Sequence, residues 1–272
     1  MSVITFSTEP GSGGRNIAKN VAKKLGYQYV DREIIREAGK EYSVPEKKLE
    51  EVFTKNPGII ERFIEDQRLY LTFIENIIIK FASRDNVVIA GSGGQYVLRD
   101  VSHVLKIRVI APFSLRVKNI MEREGLDAKE AEERVGREDK NRMSRMHNLF
   151  KIDWNDPSLY DLLINTRNMT EESAAEMVVN MINKDEYKPS MESIKLLEDL
   201  TLTSNIKARI ASHPMLMLSH IDIMTRNGIV TVSGRVLSSH EKDLIIENVK
   251  EIVGEGYVDN LSISHHTHGD FF

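Results

Sequence analysis

Residues 4–26 read ITFSTEPGSGGRNIAKNVAKKLG, and the order of residue types here decides the architecture of the first part of the chain. An apolar run, Val3 to Phe6, leads into a turn that carries Gly11, Ser12, Gly13 and Gly14. Beyond the turn, Ile17, Val21, Ala22 and Leu25 recur at helical spacing and predict an amphipathic helix. In a strand–glycine–helix unit, backbone N–H groups converge on an anion without side-chain obstruction, and the helix N-terminus adds partial positive charge. Placing the second glycine of the phosphate-loop pattern G-x-x-x-x-G-K-[ST] at Gly14 leaves three departures. Glu9 stands at the first glycine, Arg15 at the lysine, and Asn16 at the hydroxyl that holds Mg²⁺. An arginine grips phosphate with a planar fork where lysine offers a point charge. The competing explanation is a glycine turn that serves only tight strand–helix packing.

Working outward, further apolar runs occur at Tyr27–Val30, Val87–Ala90, Val104–Ile110 and Leu162–Ile164, with helical periodicity between them. A longer helical stretch runs from Ile59 to Ala82. Short, nearly all-apolar strands that alternate with helices predict a parallel sheet covered on both faces. The expected fold is α/β for residues 1–185. Residues 186–195 are polar, carry Pro189 and are expected to form a linker. The pattern then changes to a small α+β module over 196–265, in the order αββαβ, with a leading helix at about Ser204–Ser212. Asn227-Gly228 between alternating apolar residues signals a hairpin. Residues 266–272 read as a tail, and His265, His266 and His268 as part of a flexible end more than a metal site.

The segments GSGGRNIAKNVAKKLGYQYVDREII, APFSLRVKNIMEREGL and DWNDPSLYDLLINT resemble the cytidylate kinase-like family of P-loop proteins, over roughly residues 1–183. The segment NGIVTVSGRVLSSHEKDLIIENVKEIVGEGYVDNLSI resembles a BON domain, over roughly residues 200–264. The first resemblance implies a three-layer P-loop kinase-like fold, ATP and Mg²⁺ as cofactors, and phosphoryl transfer to a nucleoside monophosphate or similar small acceptor. It implies donor binding by Gly11, Ser12, Gly13, Gly14, Arg15 and Asn16, with Asn165 and Thr166 beside the adenine. Arg137 and Arg142 match lid arginines, which would close over the transferring group. Arg137, Lys140, Arg142 and Arg145 lie together on the helix that matches the lid region, Arg142 and Arg145 at i,i+3 spacing, and the four also read as a solvated charged face paired with Glu133, Glu138 and Asp139.

On the acceptor side the resemblance points to Asp31, Gly91, Ser92, Gly93, Arg116 and Arg123. Asp31 alternatively reads as the N-cap of a helix over Arg32–Lys40. Family members commonly carry Gly-Arg-Gly after the third strand, and cytidylate kinases carry Asp-Gly-Arg. Ala90 and Ser92 occupy those positions here, so the strand-end acid and the acceptor arginine are both missing. That departure keeps open a catalytically degenerate nucleotide-binding regulator, signalling through the BON-like module.

Composition narrows the field. The chain has 272 residues, 41% of them hydrophobic, and a net charge of −4, which gives no electrostatic reason to expect nucleic acid. It has no cysteine, so disulfides, thiolate metal sites and cysteine nucleophiles are excluded. No apolar run approaches the roughly 18 residues that span a bilayer, and no signal-peptide pattern precedes the first strand. A soluble, cytoplasmic protein is expected. Within 196–264 six Lys/Arg face nine Asp/Glu, against a polyanion surface. The expected partners are nucleotides for the first domain and a protein or small ligand for the second, with a homo-oligomer contact as the bland alternative.

Overall fold

In the computed structural model, residues 2–54, 61–216 and 220–263 are described. The histidines at 265, 266 and 268 and the tail lie outside them. Internal contacts divide the chain into two units, residues 1–194 and 195–272.

The apolar runs of the first unit become strands: β1 (Val3–Thr8), β2 (Gln28–Val30), β3 (Val87–Ala90), β4 (Val104–Ile110) and β5 (Leu162–Asn165). They form one five-stranded sheet in the order β2-β3-β1-β4-β5, with every pairing parallel. Helices α1 (Gly14–Leu25), α2 (Glu33–Glu41), α3 (Glu46–Thr54), α4 (Glu61–Ser83), α5 (Gly94–Val97), α6 (Phe113–Glu124) and α7 (Ala128–Phe150) lie in the crossovers, and α8 (Glu171–Ile182) follows β5. Strands β1, β3 and β4 are buried along nearly their whole length, which explains why they read as continuous apolar runs. Ile17, Ala18, Val21 and Ala22 of α1 pack with Ala174, Ala175, Val178 and Ile182 of α8 over Ile4, Phe6 and Ile107. In α4, Ile77, Ile78 and Ile79 are buried, as expected of core residues.

Helix α7 is placed by its ends. Asp127 accepts the amide of Glu130 at 2.8 Å and Glu130 accepts that of Asp127 at 3.2 Å, a reciprocal capping box.

The segment expected to be a linker contains the start of a long helix. After a short 3₁₀ turn (Asp185–Tyr187), α9 runs from Met191 to Ala211, so the helix expected at Ser204–Ser212 is the last part of one that begins much earlier. Pro189 precedes the helix start, where its fixed backbone does no harm. Ser190 and Ser193 bond each other's amides at 3.1 and 3.0 Å and cap the first turn. Polarity here marks a capped helix start.

In the second unit, β6 (Ile221–Arg226) and β7 (Ile229–Val236) are antiparallel, and β8 (Tyr257–Ile263) joins β7 in parallel after α10 (Ser239–Val253). With the C-terminal part of α9 this gives the expected αββαβ order. Ile206, Ile210, Ile223, Val230, Val232, Ile245 and Val249 form its core. The turn at Asn227-Gly228 has φ of 50° and 79°, the left-handed pair of a tight hairpin.

Candidate active site

The carboxyl ends of β1, β2 and β3 open into a cleft of about 320 Å³. In an open parallel sheet ligands bind outside the carboxyl ends of the strands, where the connections from adjacent strands turn to opposite sides. Here the chain leaves β1 toward β2 on one side and leaves its neighbour β4 toward β5 on the other. Thr8, Arg15, Asp31, the turn Gly91–Gly93, Arg142 and Arg145 face the cleft, with Trp154 on its wall.

The glycine turn after β1 is shaped to present amides. Gly11 and Gly13 have φ of 77° and 78°, and a Cβ on Gly11 would lie 2.5 Å from the Arg116 carbonyl oxygen. Carbonyls of the loop are turned outward and tied down by side chains. Asn119 Nδ2 donates to Gly11 O at 2.8 Å, Thr166 Oγ1 to Ser12 O at 2.9 Å, and Ser12 Oγ to Glu9 O at 2.8 Å. The N–H groups of Gly11, Gly13 and Arg15 make no hydrogen bond among the described residues. Such a loop has donors left for an anion. The same glycines thus serve close packing and leave backbone donors unpartnered.

Glu9 faces away from this task. Its carboxylate accepts the Ala111 amide at 3.1 Å and lies 3.5 Å from Arg108 and 3.3 Å from Arg116. Arg116 forks onto Asp139 of α7 at 3.0 and 2.8 Å, while Arg108 donates to Asn155 at 2.9 Å and stacks 3.8 Å over Trp154. A buried ion-pair network thus ties the loop to α6, β4, the middle of α7 and the turn that follows α7. Arg116, one of the residues expected at the acceptor, belongs to this network and does not line the cleft. Arg123 is exposed and pairs with Glu124 at 2.6 Å. Arg137 is exposed on α7, outside the cleft wall.

Asp31 and Arg15 meet across the cleft floor, 3.4 Å apart. Asp31 does not cap α2: Arg32 holds the cap position, and Asp31's amide is accepted by Glu33 at 3.0 Å. Burial and the adjacent Asp31 carboxylate push the Tyr29 hydroxyl up to about 12, so it stays a donor, 3.3 Å from Asp31. Asn16 lies on the exposed side of α1, its amide nitrogen donating to Glu171 at 3.0 Å. Asn165 caps its own turn by accepting the Arg167 amide at 3.0 Å.

Arg142 donates to the Thr8 carbonyl and lies 5.3 Å from the Trp154 ring. Burial, then the neighbouring Arg145, lowers its pKa to about 10, which leaves it charged at neutral pH. Arg145 lines the cleft as well. The sequence reading set it beside Arg142, three residues earlier, on the helix that matches the lid region, and did not count it among the site residues.

A family profile described as "Cytidylate kinase-like family" matches residues 3–168. The chain belongs to that family. Residues 198–261 match the BON domain. A cytidylate kinase of Ignicoccus hospitalis is 29% identical over 183 residues, covering 67% of this chain and 99% of that protein. One from Thermococcus kodakarensis is 32% identical over 165 residues, covering 60% and 79% respectively. A crystal structure of an uncharacterized protein from Eubacterium ventriosum shares the fold, with a TM-score of 0.54 and 22% identity over 68% of this chain and 99% of the other.

The unpartnered loop amides and the adjacent arginines fit the phosphates of ATP. They fit Mg²⁺ less well. The residue at the hydroxyl position is Asn16, engaged by Glu171, and the strand-end acid is Ala90. Asp31 is the carboxylate of the cleft nearest the loop cation. No cluster of three or more metal-binding side chains occurs among the described residues. Nor is any of their helices long and apolar enough to cross a membrane.

Proposed function

We propose that the first unit transfers the γ-phosphoryl group of ATP to a nucleoside monophosphate or similar small acceptor. The observation that carries this reading is the convergence of Arg15 and Arg142 on a cleft at the end of β1, the strand that leads into a glycine loop with unpartnered amides. Phosphoryl transfer asks mainly for positioning and for positive charge around the moving group. An acceptor oxygen forms the new bond to the γ-phosphorus, the bond to the β–γ bridging oxygen breaks, and ADP leaves with the electron pair. Loop amides and Arg15 would hold the donor phosphates. Arg142, anchored on the Thr8 carbonyl at the β1 end, sits where it can stabilise charge on the group in flight. Asp31 would orient Arg15 and face the acceptor. Mg²⁺, when bound, would supply further neutralisation of the phosphate charge.

A second reading has its own observation. Ala90 and Ser92 leave the third strand without an acid or an arginine, and Arg15 is already engaged by Asp31. A nucleotide-binding regulator that acts through the BON module is consistent with both. Incubation of the full chain with ATP, Mg²⁺ and a panel of nucleoside monophosphates separates the two. Stoichiometric ADP release that depends on one acceptor supports the kinase. ATP binding without transfer to any acceptor supports the regulator.

A further inference from the structure

Strands β6 and β8 are the two edges of the second unit's sheet, and they are finished differently. On β8, Asp259 accepts the Leu261 amide at 2.9 Å, and Lys242 donates to the Leu261 carbonyl at 3.3 Å. Lys242 also pairs with Asp259 at 2.7 Å, so a charged clip closes this edge. β6 has no such clip among the described residues. The Val230 amide donates to the Gly256 carbonyl on the β8 side at 3.1 Å, so Ile229 and Thr231 direct their backbone groups toward β6. Opposite them, Arg226 and Met224 bond inward in turn, which aims the amides and carbonyls of Ile223 and Thr225 at the open edge. Neither backbone has a partner there among the described residues. The strand Ile221–Arg226 also lacks the Pro or Lys that commonly guards an edge.

The side chains of β6 follow a self-complementary order. Asp222, Met224 and Arg226 alternate on the exposed face, opposite the one where Ile223 and Thr225 are buried. Among the described residues Asp222 has one loose ion pair, to Lys207 at 3.8 Å, and Arg226 has none. Consider two copies of β6 paired antiparallel about a two-fold axis at Met224. Ile223 of each copy then exchanges backbone hydrogen bonds with Thr225 of the other, and Asp222 of each stands opposite Arg226 of the other. The charges occupy a non-hydrogen-bonded pair, where facing side chains lie closest. An axis at Asp222 or at Arg226 would set like charges against each other. One at Ile223 or Thr225 would leave Asp222 and Arg226 apart. Charge thus selects a single register. It also brings the exposed Met224, Ile229 and Val258 of both copies onto one face.

We propose that the second unit is a self-association module, in which two copies of this chain join their β6 edges antiparallel about Met224. The result is one continuous sheet made of two three-stranded halves. Such an interface is isologous, the same patch serving both partners. It is independent of whether the first unit transfers phosphate.

The test is sedimentation velocity of the full chain over a range of concentrations, with charge variants. The native chain should form dimers at micromolar concentrations. Arg226→Asp and Asp222→Arg each set like charges across the axis and should each weaken dimerisation roughly tenfold. Mixed in equal amounts, the two variants should dimerise with each other, since one carries only carboxylates at these positions and the other only guanidiniums. The chain has no cysteine, so Met224→Cys introduces a single thiol that meets its own copy at the axis. Oxidation by diamide should link that variant into a covalent dimer. Val258→Cys, on the same face but two strands from the axis, should link far less. A native chain that is monomeric at every concentration overturns the proposal and leaves the edge to a strand of a different protein. A dimer that survives both charge variants, or a mixture of the variants that stays monomeric, overturns it too. Where a charge variant melts unlike the native chain, the thiol decides: no link at Met224→Cys, or equal linking at Val258→Cys, refutes the β6 interface.

Discussion

At the scale of single residues, the site turns on what replaces the ordinary phosphate-loop side chains. Arg15 stands at the lysine position and meets Asp31 at 3.4 Å. In Arg15→Ala, ATP should bind at least tenfold more weakly while AMP is little affected, because only ATP presents β- and γ-phosphates to that side chain. Calorimetry with both nucleotides checks this, and equal losses would move the donor phosphates elsewhere. Glu9 departs from the pattern for a structural reason, since its carboxylate neutralises two buried guanidiniums. Glu9→Gln should therefore cost roughly 3–5 kcal/mol of stability, the usual penalty for breaking a buried pair from one side. A denaturant midpoint unchanged from the native chain would refute it. The glycine loop and Asp31 were legible because local sequence fixes a turn between strand and helix. Arg116 was misplaced because its position in the sequence is also that of a plausible ligand. Asp139, 23 residues away along the chain and 2.8 Å away in space, and Glu9 at 3.3 Å give it a structural task.

At the scale of elements, short polar signals decide how helices and strands begin. Asp199 of α9 accepts the amides of both Asn227 and Gly228 at 2.8 Å, pinning the hairpin turn to the helix beside it. Asp199→Ala should lower the stability of the second unit by about 1–2 kcal/mol, less than for buried bonds because the turn is exposed. The start of α9 carries a pH-dependent contact. His103 at the head of β4 is fully buried, with its Nδ1 2.8 Å from Ser193 Oγ and its Nε2 unpartnered among the described residues. Burial depresses its pKa below the ordinary 6.5, Lys106 adds to the effect and Asp85 opposes it. The neutral ring belongs to the folded state, whereas the unfolded chain takes up a proton below about pH 6.5. Stability from this group is thus full above pH 6.5 and is lost as the pH falls toward the depressed value. In His103→Gln the melting temperature should fall less between pH 7 and pH 5.5 than in the native chain. An identical decline in both would show that other groups carry it. The hairpin was legible from Asn-Gly alone. The early start of α9 was not, because Pro and Ser mark linkers and helix starts alike.

At the scale of the whole molecule, the chain combines a family kinase-like unit with a BON module that has a core of its own. The continuous α9 changes where a separable piece should be cut. A fragment beginning at Ser190 retains the Ser190–Ser193 cap, whereas one beginning at Lys195 removes the first turn of the helix. The longer fragment should melt cooperatively and at a higher temperature than the shorter one. If the longer fragment alone is unfolded, the second unit is not autonomous. The sequence by itself determined the strands, the parallel sheet, the glycine loop and the αββαβ order, since all depend on periodicity and turn chemistry within a few residues. Tertiary structure alone decided which arginines serve the cleft. Arg116, Arg123, Arg137, Arg142 and Arg145 share one side-chain chemistry and lie within 30 residues of one another. Their roles diverge because a guanidinium's task is set by what lies within reach in space. For Arg116 that is a buried carboxylate, and for Arg142 a strand-end carbonyl. For Arg145 it is an open cleft.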